Sequence, residues 1–272
     1  MKVCAWLCLI SSFCAAQSTS TLLGARAAGM GYASSTLRDE WSFFGNAAGL
    51  SSEKNYTAAT TYEARALPGG NRMGLVGVMP LKFGVGAVGI FRFGDDVYSE
   101  QSVQAAFAHQ IGKTSLGVRV NYMQYRTIGF GTHGFLGIHL GGITQLTKQI
   151  SIGAWIQNIN MPKLKFHEKE TAPVKLLASV GFKPIDKFIL AAEVEKDILY
   201  EPLWKVGMEY QIHKKVFVRS GFNLNPGVAF FGIGFQSWRV KIDYALQSFS
   251  AIGPTHQASA SYRINKISKD QK

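Results

Sequence analysis

From about residue 54 to the end of the chain, apolar and polar residues alternate with a period of two. Successive side chains of a β-strand point to opposite faces, so this pattern predicts strands with one apolar and one polar face. Turn-forming residues divide the region into fourteen segments. The predicted strands are 54–65, 71–80, 84–93, 102–111, 114–125, 134–146, 149–159, 174–183, 187–196, 203–212, 215–224, 227–236, 239–248 and 255–265.

The composition of the two faces distinguishes a membrane barrel from a soluble β-sandwich. One face is uncharged, as in the run Leu116, Val118, Val120 and Tyr122. A charge at the middle of a bilayer costs roughly 2–4 kcal/mol, so an uncharged face suits contact with lipid. The opposite face carries both signs of charge, which the dry core of a sandwich does not tolerate. The residues predicted to form a lumen charge network are Arg119, Glu193, Glu195, Lys205, Glu209, Arg219, Arg239, Lys241 and Asp243.

Short and longer connections alternate along the chain, as in the tight turn at Gly112–Lys113 and the longer connection at 160–173. Outer-membrane barrels have short periplasmic turns and longer outer loops, and an even strand number places both termini on the periplasmic side. The sequence therefore predicts an all-β fold, a 14-stranded antiparallel transmembrane β-barrel at 54–265, with a small N-terminal plug or hatch segment.

The N-terminus has the pattern of a secretory signal peptide at 1–16. A positive start is followed by a short apolar stretch and by Ala15 and Ala16, the small residues expected at a cleavage site. This predicts export to the bacterial outer membrane. Cys4, Cys8 and Cys14 all fall in this segment, so the mature chain is expected to have no disulfide, thiolate nucleophile or cysteine-bound metal.

Residues 17–53 do not alternate and are rich in small residues. We predict that this segment lies inside the barrel as a hatch, because barrel interiors are often plugged and Phe43, Phe44 and Leu50 would otherwise be exposed. The alternative is a periplasmic arm outside the barrel.

The net charge of +12 first suggests a nucleic-acid-binding protein. Predicted export and the absence of a nucleic-acid-binding motif argue against that class. On the predicted barrel the excess falls at the periplasmic end, including a basic tail at 266–272, so outer-membrane lipids or an acidic periplasmic protein are the expected partners. The lysines of this periplasmic rim are Lys82, Lys113, Lys148, Lys183, Lys187, Lys214 and Lys215.

The sequence offers little evidence for catalysis. The Gly84–Gly89 segment matches a dinucleotide-binding fingerprint, but a strand follows it where that fold needs a helix. An esterase using His139 and Ser151 stays open, although a lone lumen histidine is more often a hydrogen-bonded wall residue. We expect a non-enzymatic protein without cofactor or metal.

Several short motifs occur together in the predicted hatch. Ala25–Ala33 reads Ala-Arg-Ala-x-Gly-Met-Gly-x-Ala, an acidic pair and Trp41 follow, and Asn46–Leu50 reads Asn-x-Ala-Gly-Leu. Together with the fourteen strands and the closing segment 253–262, this resembles the FadL/PorV/PorQ superfamily of outer-membrane barrels. That resemblance implies a hatch with gating residues at Asn46, Ala47 and Gly49, and Ala47 stands where the family usually has proline.

The resemblance implies two functions. The first is that of a PorV/PorQ-type protein, accessory to protein secretion or surface attachment in type IX secretion, with another outer-membrane or periplasmic protein as partner. The alternative is a FadL-like passive transporter that takes a hydrophobic ligand across the outer membrane. The polar inward face and the loss of the hatch proline at Ala47 favour the accessory role.

Overall fold

A computed structural model describes residues 21–66, 70–163, 171–198, 200–248 and 253–264. The predicted signal peptide at 1–16, the first residues of the predicted hatch at 17–20 and the predicted basic tail at 266–272 lie outside this part of the chain. No helix in the described ranges is long and apolar enough to cross a membrane.

Fourteen antiparallel strands form one closed barrel in which each strand pairs with its neighbours in sequence and the first pairs with the last. This confirms the predicted fold class. The strands are β1 Tyr56–Arg65, β2 Arg72–Leu81, β3 Gly84–Gly94, β4 Tyr98–Ile111, β5 Thr114–Thr127, β6 Gly131–Gln145, β7 Ile150–Gln157, β8 Lys175–Ile185, β9 Phe188–Asp197, β10 Leu203–His213, β11 Val216–Asn223, β12 Val228–Gln236, β13 Val240–Ser248 and β14 Thr255–Ile264.

Buried and exposed residues alternate along the strands, as in β1 and β14, so the polar set faces the lumen and the apolar set faces outward. The ladders keep their register, apart from shifts in β8–β9 and β10–β11 close to the connecting turns. We call the end of the barrel with the six short turns and the two barrel termini the turn end, and the opposite end the loop end. The turn end is the one predicted to be periplasmic.

The described part of the hatch, residues 21–53, lies inside the barrel. It contains a short helix, α1 (Ala25–Gly29), and two 3-10 helices at Glu40–Phe44 and Ala47–Ser52. The Asp39 side chain accepts hydrogen bonds from the backbone N–H groups of Trp41 and Ser42, which fixes the start of the first 3-10 helix. Phe43, Phe44 and Leu50 are fully buried, as predicted for a hatch rather than an external arm.

Candidate functional site: the hatch and the lumen wall

The lumen has two chemically different halves. On the side of β1–β6 the wall and the hatch form an apolar cluster. The same side also buries Glu63, Arg72, Glu100 and Arg119. On the side of β8–β14 the wall carries most of the buried charges. The hatch lies between the two halves and contacts both.

In the apolar half, the aromatic side chains of the hatch pack against a wall of small residues. Phe43 and Phe44 meet edge to face, with their ring centroids 4.9 Å apart. Opposite them the wall has Gly74 and Gly89, and a Cβ atom at Gly89 would come within 2.6 Å of the Phe43 ring. Glycine therefore makes room for the rings. The buried members of the cluster are Leu23, Trp41, Phe43, Phe44, Ala47, Leu50, Ala59, Val76, Val78, Val85, Ala87, Phe91, Ala106, Ala108, Met123, Phe135 and Ala172.

In the charged half, most residues of the predicted lumen network meet as ion pairs. Arg219 bonds Glu209 through Nε at 2.6 Å and Asp243 through Nη1 at 2.8 Å. Lys205 Nζ lies 2.6 Å from Glu195 and 3.2 Å from Glu193. The pairs of Lys205 with Glu193 and Glu195 and of Arg219 with Glu209 join neighbouring strands, because residues on one face of adjacent strands lie opposite each other. Arg219 and Asp243 instead meet across β12.

Hatch residues complete this network. Arg26 of α1 bonds Glu209 at 2.6 Å and Asp39 at 2.9 Å. Lys241 Nζ lies 3.3 Å from Glu40 and 3.8 Å from Asp39. The charges of Glu209 and Asp39 hold the pKa of Arg26 above its ordinary value, although burial opposes them. The ion pairs therefore fasten the hatch to one side of the lumen.

Glu193 adds a second anchor for the hatch. One of its carboxylate oxygens accepts hydrogen bonds from the backbone N–H groups of Ser34 and Ser35 and from the Ser35 hydroxyl, the last at 2.6 Å. Sequence reasoning identified the wall residues and missed their hatch partners. The acidic pair Asp39–Glu40 was the available signal, since a buried carboxylate needs a cation opposite it.

Two predicted members lie apart from the ion-pair network. Arg119 is buried, but within the described residues it has no carboxylate partner: Nη1 donates to the Phe43 carbonyl at 2.7 Å, while Nε and Nη2 have no acceptor. The prediction for Arg239 is wrong, because it sits in the turn before β13, where strand alternation no longer sets direction. Its guanidinium stacks on Trp238 at 3.9 Å and reaches the Tyr262 hydroxyl on the outer surface.

The predicted gating residues lie at the start of the second 3-10 helix, with Asn46 before its first residue and Ala47 and Gly49 within it. Asn46 Oδ1 accepts from the Ala48 N–H at 3.2 Å, and Asn46 Nδ2 donates to the Ser35 carbonyl at 2.8 Å and to the Gly142 carbonyl of the wall at 3.0 Å. A Cβ atom at Gly49 would come within 2.4 Å of a backbone oxygen, so this position needs glycine. The turn is thus bonded both within the hatch and to β6.

A cavity of about 230 Å³ opens at the turn end between the hatch and the charged wall. Burial, followed by the charges of Glu40 and Asp39, raises the pKa of Glu53 to about 7. Burial alone lowers the pKa of Arg38, which donates to Ser115 at 2.9 Å. The cavity is lined by Arg26, Arg38, Asp39, Glu53, Glu209, Phe217, Arg219, Gln236, Lys241 and Arg263.

The possible esterase pair and the rim lysines lie outside the ion-pair network. His139 is buried with Nε2 2.8 Å from Asn121 Oδ1, and the Ser151 hydroxyl points to the Gly181 carbonyl, so these two do not form a nucleophile–base pair. Across the described ranges, no group of three or more His, Cys, Asp or Glu residues is arranged to hold a metal ion. The seven rim lysines are all exposed at the turn end.

Neither a protein-family model nor a curated protein matches the chain. Solved structures do. The toluene transporter TodX of Pseudomonas putida superposes with a TM-score of 0.67 at 12% identity, over 90% of this chain and 98% of its own. A FadL homologue of Pseudomonas aeruginosa gives 0.64 at 10% identity, over 90% and 99%. The outer membrane protein Omp33 of Acinetobacter baumannii gives 0.52 at 11% identity, over 79% and 100%.

These neighbours are described as a transporter, a FadL homologue and an outer membrane protein, which is consistent with a non-enzymatic role. The predicted PorV/PorQ character has no counterpart among them. At 10–12% identity the similarity concerns the fold alone. The chain therefore has the barrel fold of bacterial outer-membrane proteins, and that of TodX and a FadL homologue over nine-tenths of its length.

Proposed function

We propose that this protein is a passive channel for small hydrophobic molecules, with the aromatic part of the hatch as its gate. This was the alternative in the sequence analysis. The observation that carries the proposal is the division of the lumen, in which ion pairs hold the hatch on one side and an apolar cluster packs against it on the opposite side. The shared fold with a toluene transporter supports the same reading.

The route follows the apolar half because its contacts are exchangeable. Ion pairs such as Arg26 with Glu209 are directional, and breaking them leaves buried charges unpaired. The packing of Phe43 and Phe44 against glycine and alanine is non-directional, so a solute the size of an aromatic ring replaces it at little cost. The hatch then yields on the side of the apolar cluster, where hydrogen bonds such as those of Ser51 to Ser115 and of Arg119 to the Phe43 carbonyl break, while the ion pairs on its other side stay in place.

The accessory role is the second candidate, and the packing of the lumen favours it. Phe43, Phe44 and Leu50 are fully buried at the centre of the barrel. A protein that acts through its rims and outer wall needs no passage, so a filled lumen suits it. The link to type IX secretion stays a prediction from the sequence.

A reversible tether between hatch and wall tests the channel. The hydroxyl oxygens of Ser51, in the second 3-10 helix, and Ser115, on β5, are 2.8 Å apart, so replacing both by cysteine places two thiols within bonding reach. A matched control joins wall to wall: Thr114 and Thr144 face each other on β5 and β6, with hydroxyl oxygens 3.1 Å apart. The three native cysteines all lie in the predicted signal peptide.

Uptake of radiolabelled toluene is measured in cells whose outer membrane carries each variant. We expect the oxidised Ser51→Cys/Ser115→Cys protein to lose uptake and a reductant to restore it, while the oxidised Thr114→Cys/Thr144→Cys protein keeps wild-type uptake. The single variant Ser115→Cys controls for the lost bond to Arg38. A folded wild-type barrel that gives only background uptake, and that co-purifies with another outer-membrane protein, would support the accessory role instead.

A further inference from the structure

The six turns at the turn end repeat one chemical pattern. In each, a large exposed apolar side chain is followed within three residues by a basic one. The apolar residues are strongly exposed, with Trp238 at 67% and Ile111 at 61%. The six pairs are Leu81 with Lys82, Ile111 with Lys113, Leu146 with Lys148, Ile185 with Lys187, Ile212 with Lys214, and Trp238 with Arg239.

The positive charge of this ring has almost no counter-charge within the six turns. Asp186 is the single acidic residue in the six turns, and it forms an exposed pair with Lys183 at 3.0 Å. The loop end differs, since acidic residues such as Asp95 and Asp197 accompany its basic ones. The positive ring is therefore a property of one rim, and it runs around the whole circumference.

We propose that this rim binds the headgroups of anionic phospholipids in the leaflet at the turn end. Apolar and aromatic side chains at the edge of a membrane barrel lie at the boundary between acyl chains and headgroups. Basic residues directly beside them then stand at the level of the lipid phosphates, where a lysine ammonium is a compact partner for an anionic oxygen.

The apolar member of each pair identifies lipid, rather than an acidic protein, as the occupant. A soluble acidic partner would meet the lysines alone, whereas the apolar ring already lies against acyl chains whose phosphates are beside the lysines. A phospholipid satisfies both, because its acyl chains cover residues such as Leu81 and Ile111 while its phosphate meets Lys82 and Lys113. The inference is independent of what crosses the lumen.

The test measures which lipids stay bound. The full mature chain is reconstituted into vesicles of phosphatidylcholine mixed with phosphatidylglycerol, extracted mildly and weighed by native mass spectrometry. The rim variant carries Lys82→Gln, Lys148→Gln and Lys214→Gln, none of which disturbs an ion pair. The control variant removes three exposed charges at the loop end by Arg92→Gln, Arg126→Gln and Lys196→Gln.

We expect the wild type and the control variant to retain phosphatidylglycerol in preference to phosphatidylcholine, and the rim variant to lose that preference by at least about fivefold. Substitution of the same three lysines by arginine should preserve it. Equal retention by the rim and control variants overturns the proposal. So does unchanged lipid retention with loss of a co-purified acidic protein from the rim variant. Toluene uptake is not the readout, so failure of the channel proposal leaves this test intact.

Discussion

At the scale of single residues, two buried arginines of the lumen show that the partners of a buried charge determine how much it contributes to stability. Arg219 bonds Glu209 and Asp243, whereas Arg119 bonds the Phe43 carbonyl and lies over the Trp155 ring at 5.7 Å. Arg119 Nε and Nη2 have no acceptor among the described residues. Sequence alternation places both arginines in the lumen and does not distinguish them. The difference arises from which hatch and wall residues meet, and strand periodicity carries no information on that.

The two arginines should therefore respond oppositely to replacement by methionine. We expect Arg219→Met to lower the free energy of unfolding by about 3–5 kcal/mol, because Glu209 and Asp243 stay buried without this cation. Arg119→Met should change it by less than about 1 kcal/mol, since the lost bond to Phe43 is offset by removal of two unpaired buried donors. Urea unfolding in lipid vesicles measures both. An equal loss in the two variants would mean that the contacts of Arg119 with the Phe43 carbonyl and the Trp155 ring outweigh the cost of its unpaired nitrogens.

Glu53 makes docking of the hatch depend on pH. Burial and the nearby carboxylates Glu40 and Asp39 raise its pKa to about 7, although Arg263 and Lys241 pull it down. The docked hatch thus favours protonated Glu53, and this stabilisation weakens as the pH rises from the ordinary glutamate value to about 7. We expect faster hydrogen exchange in the second 3-10 helix at pH 8 than at pH 6, after correction for the intrinsic rate. Glu53→Gln should abolish the difference, and persistence of the difference would assign it to another group.

At the scale of elements, the strands follow from sequence because each buries one face and exposes the other. Predicted and observed bounds agree closely, with differences where side chains extend or end a ladder. β4 begins at Tyr98 instead of residue 102. Asp95 Oδ1 accepts hydrogen bonds from the N–H groups of Val97 and Tyr98, and these bonds hold the pKa of the exposed Asp95 carboxyl below its ordinary value. This tight turn returns the chain to the sheet earlier than alternation indicates.

At the turn Asn46–Ala47 the sequence departs from the family it resembles, because Ala47 stands where that family usually has proline. The local backbone geometry explains why either residue fits. Ala47 is the first residue of the second 3-10 helix, and Asn46 before it is extended, at φ −78° and ψ 98°. Proline suits the first position of a helix and an extended predecessor. The backbone at this turn therefore suits a proline at position 47 although the chain has alanine there.

Ala47→Pro should accordingly be tolerated and should raise the free energy of unfolding by up to about 1 kcal/mol, through a stiffer unfolded chain. Ala48→Pro is the matched control one residue on. It removes the N–H group that donates to Asn46 Oδ1 and should cost at least about 1 kcal/mol. Thermal unfolding of the two variants in detergent gives the comparison. Destabilisation by Ala47→Pro as large as that by Ala48→Pro would mean that the hatch turn differs from the one described here.

At the scale of the whole molecule, closure of the barrel was predictable and the two-sided lumen was not. An even set of strands with an uncharged outer face has to close, because an open edge in lipid leaves backbone groups unpaired. The division of the lumen depends on where the hatch docks. Arg26 lies 183 residues from Glu209 in sequence, and no local pattern links them. The docked hatch therefore divides the lumen into two sides, and removing the hatch is the most direct test of this arrangement.

A chain lacking residues 21–52 should still close, since β1 pairs directly with β14 and each of the other ladders joins two wall strands. Its lumen would then expose Glu193, Glu209 and Lys241 to water in place of hatch groups. We expect a much larger ion conductance in planar bilayers than for the full chain, with the oxidised Ser51→Cys/Ser115→Cys tether holding the full chain at its low level. A shortened barrel that keeps strand content and protease resistance but conducts no better than the full chain would contradict the hatch as the plug of this lumen.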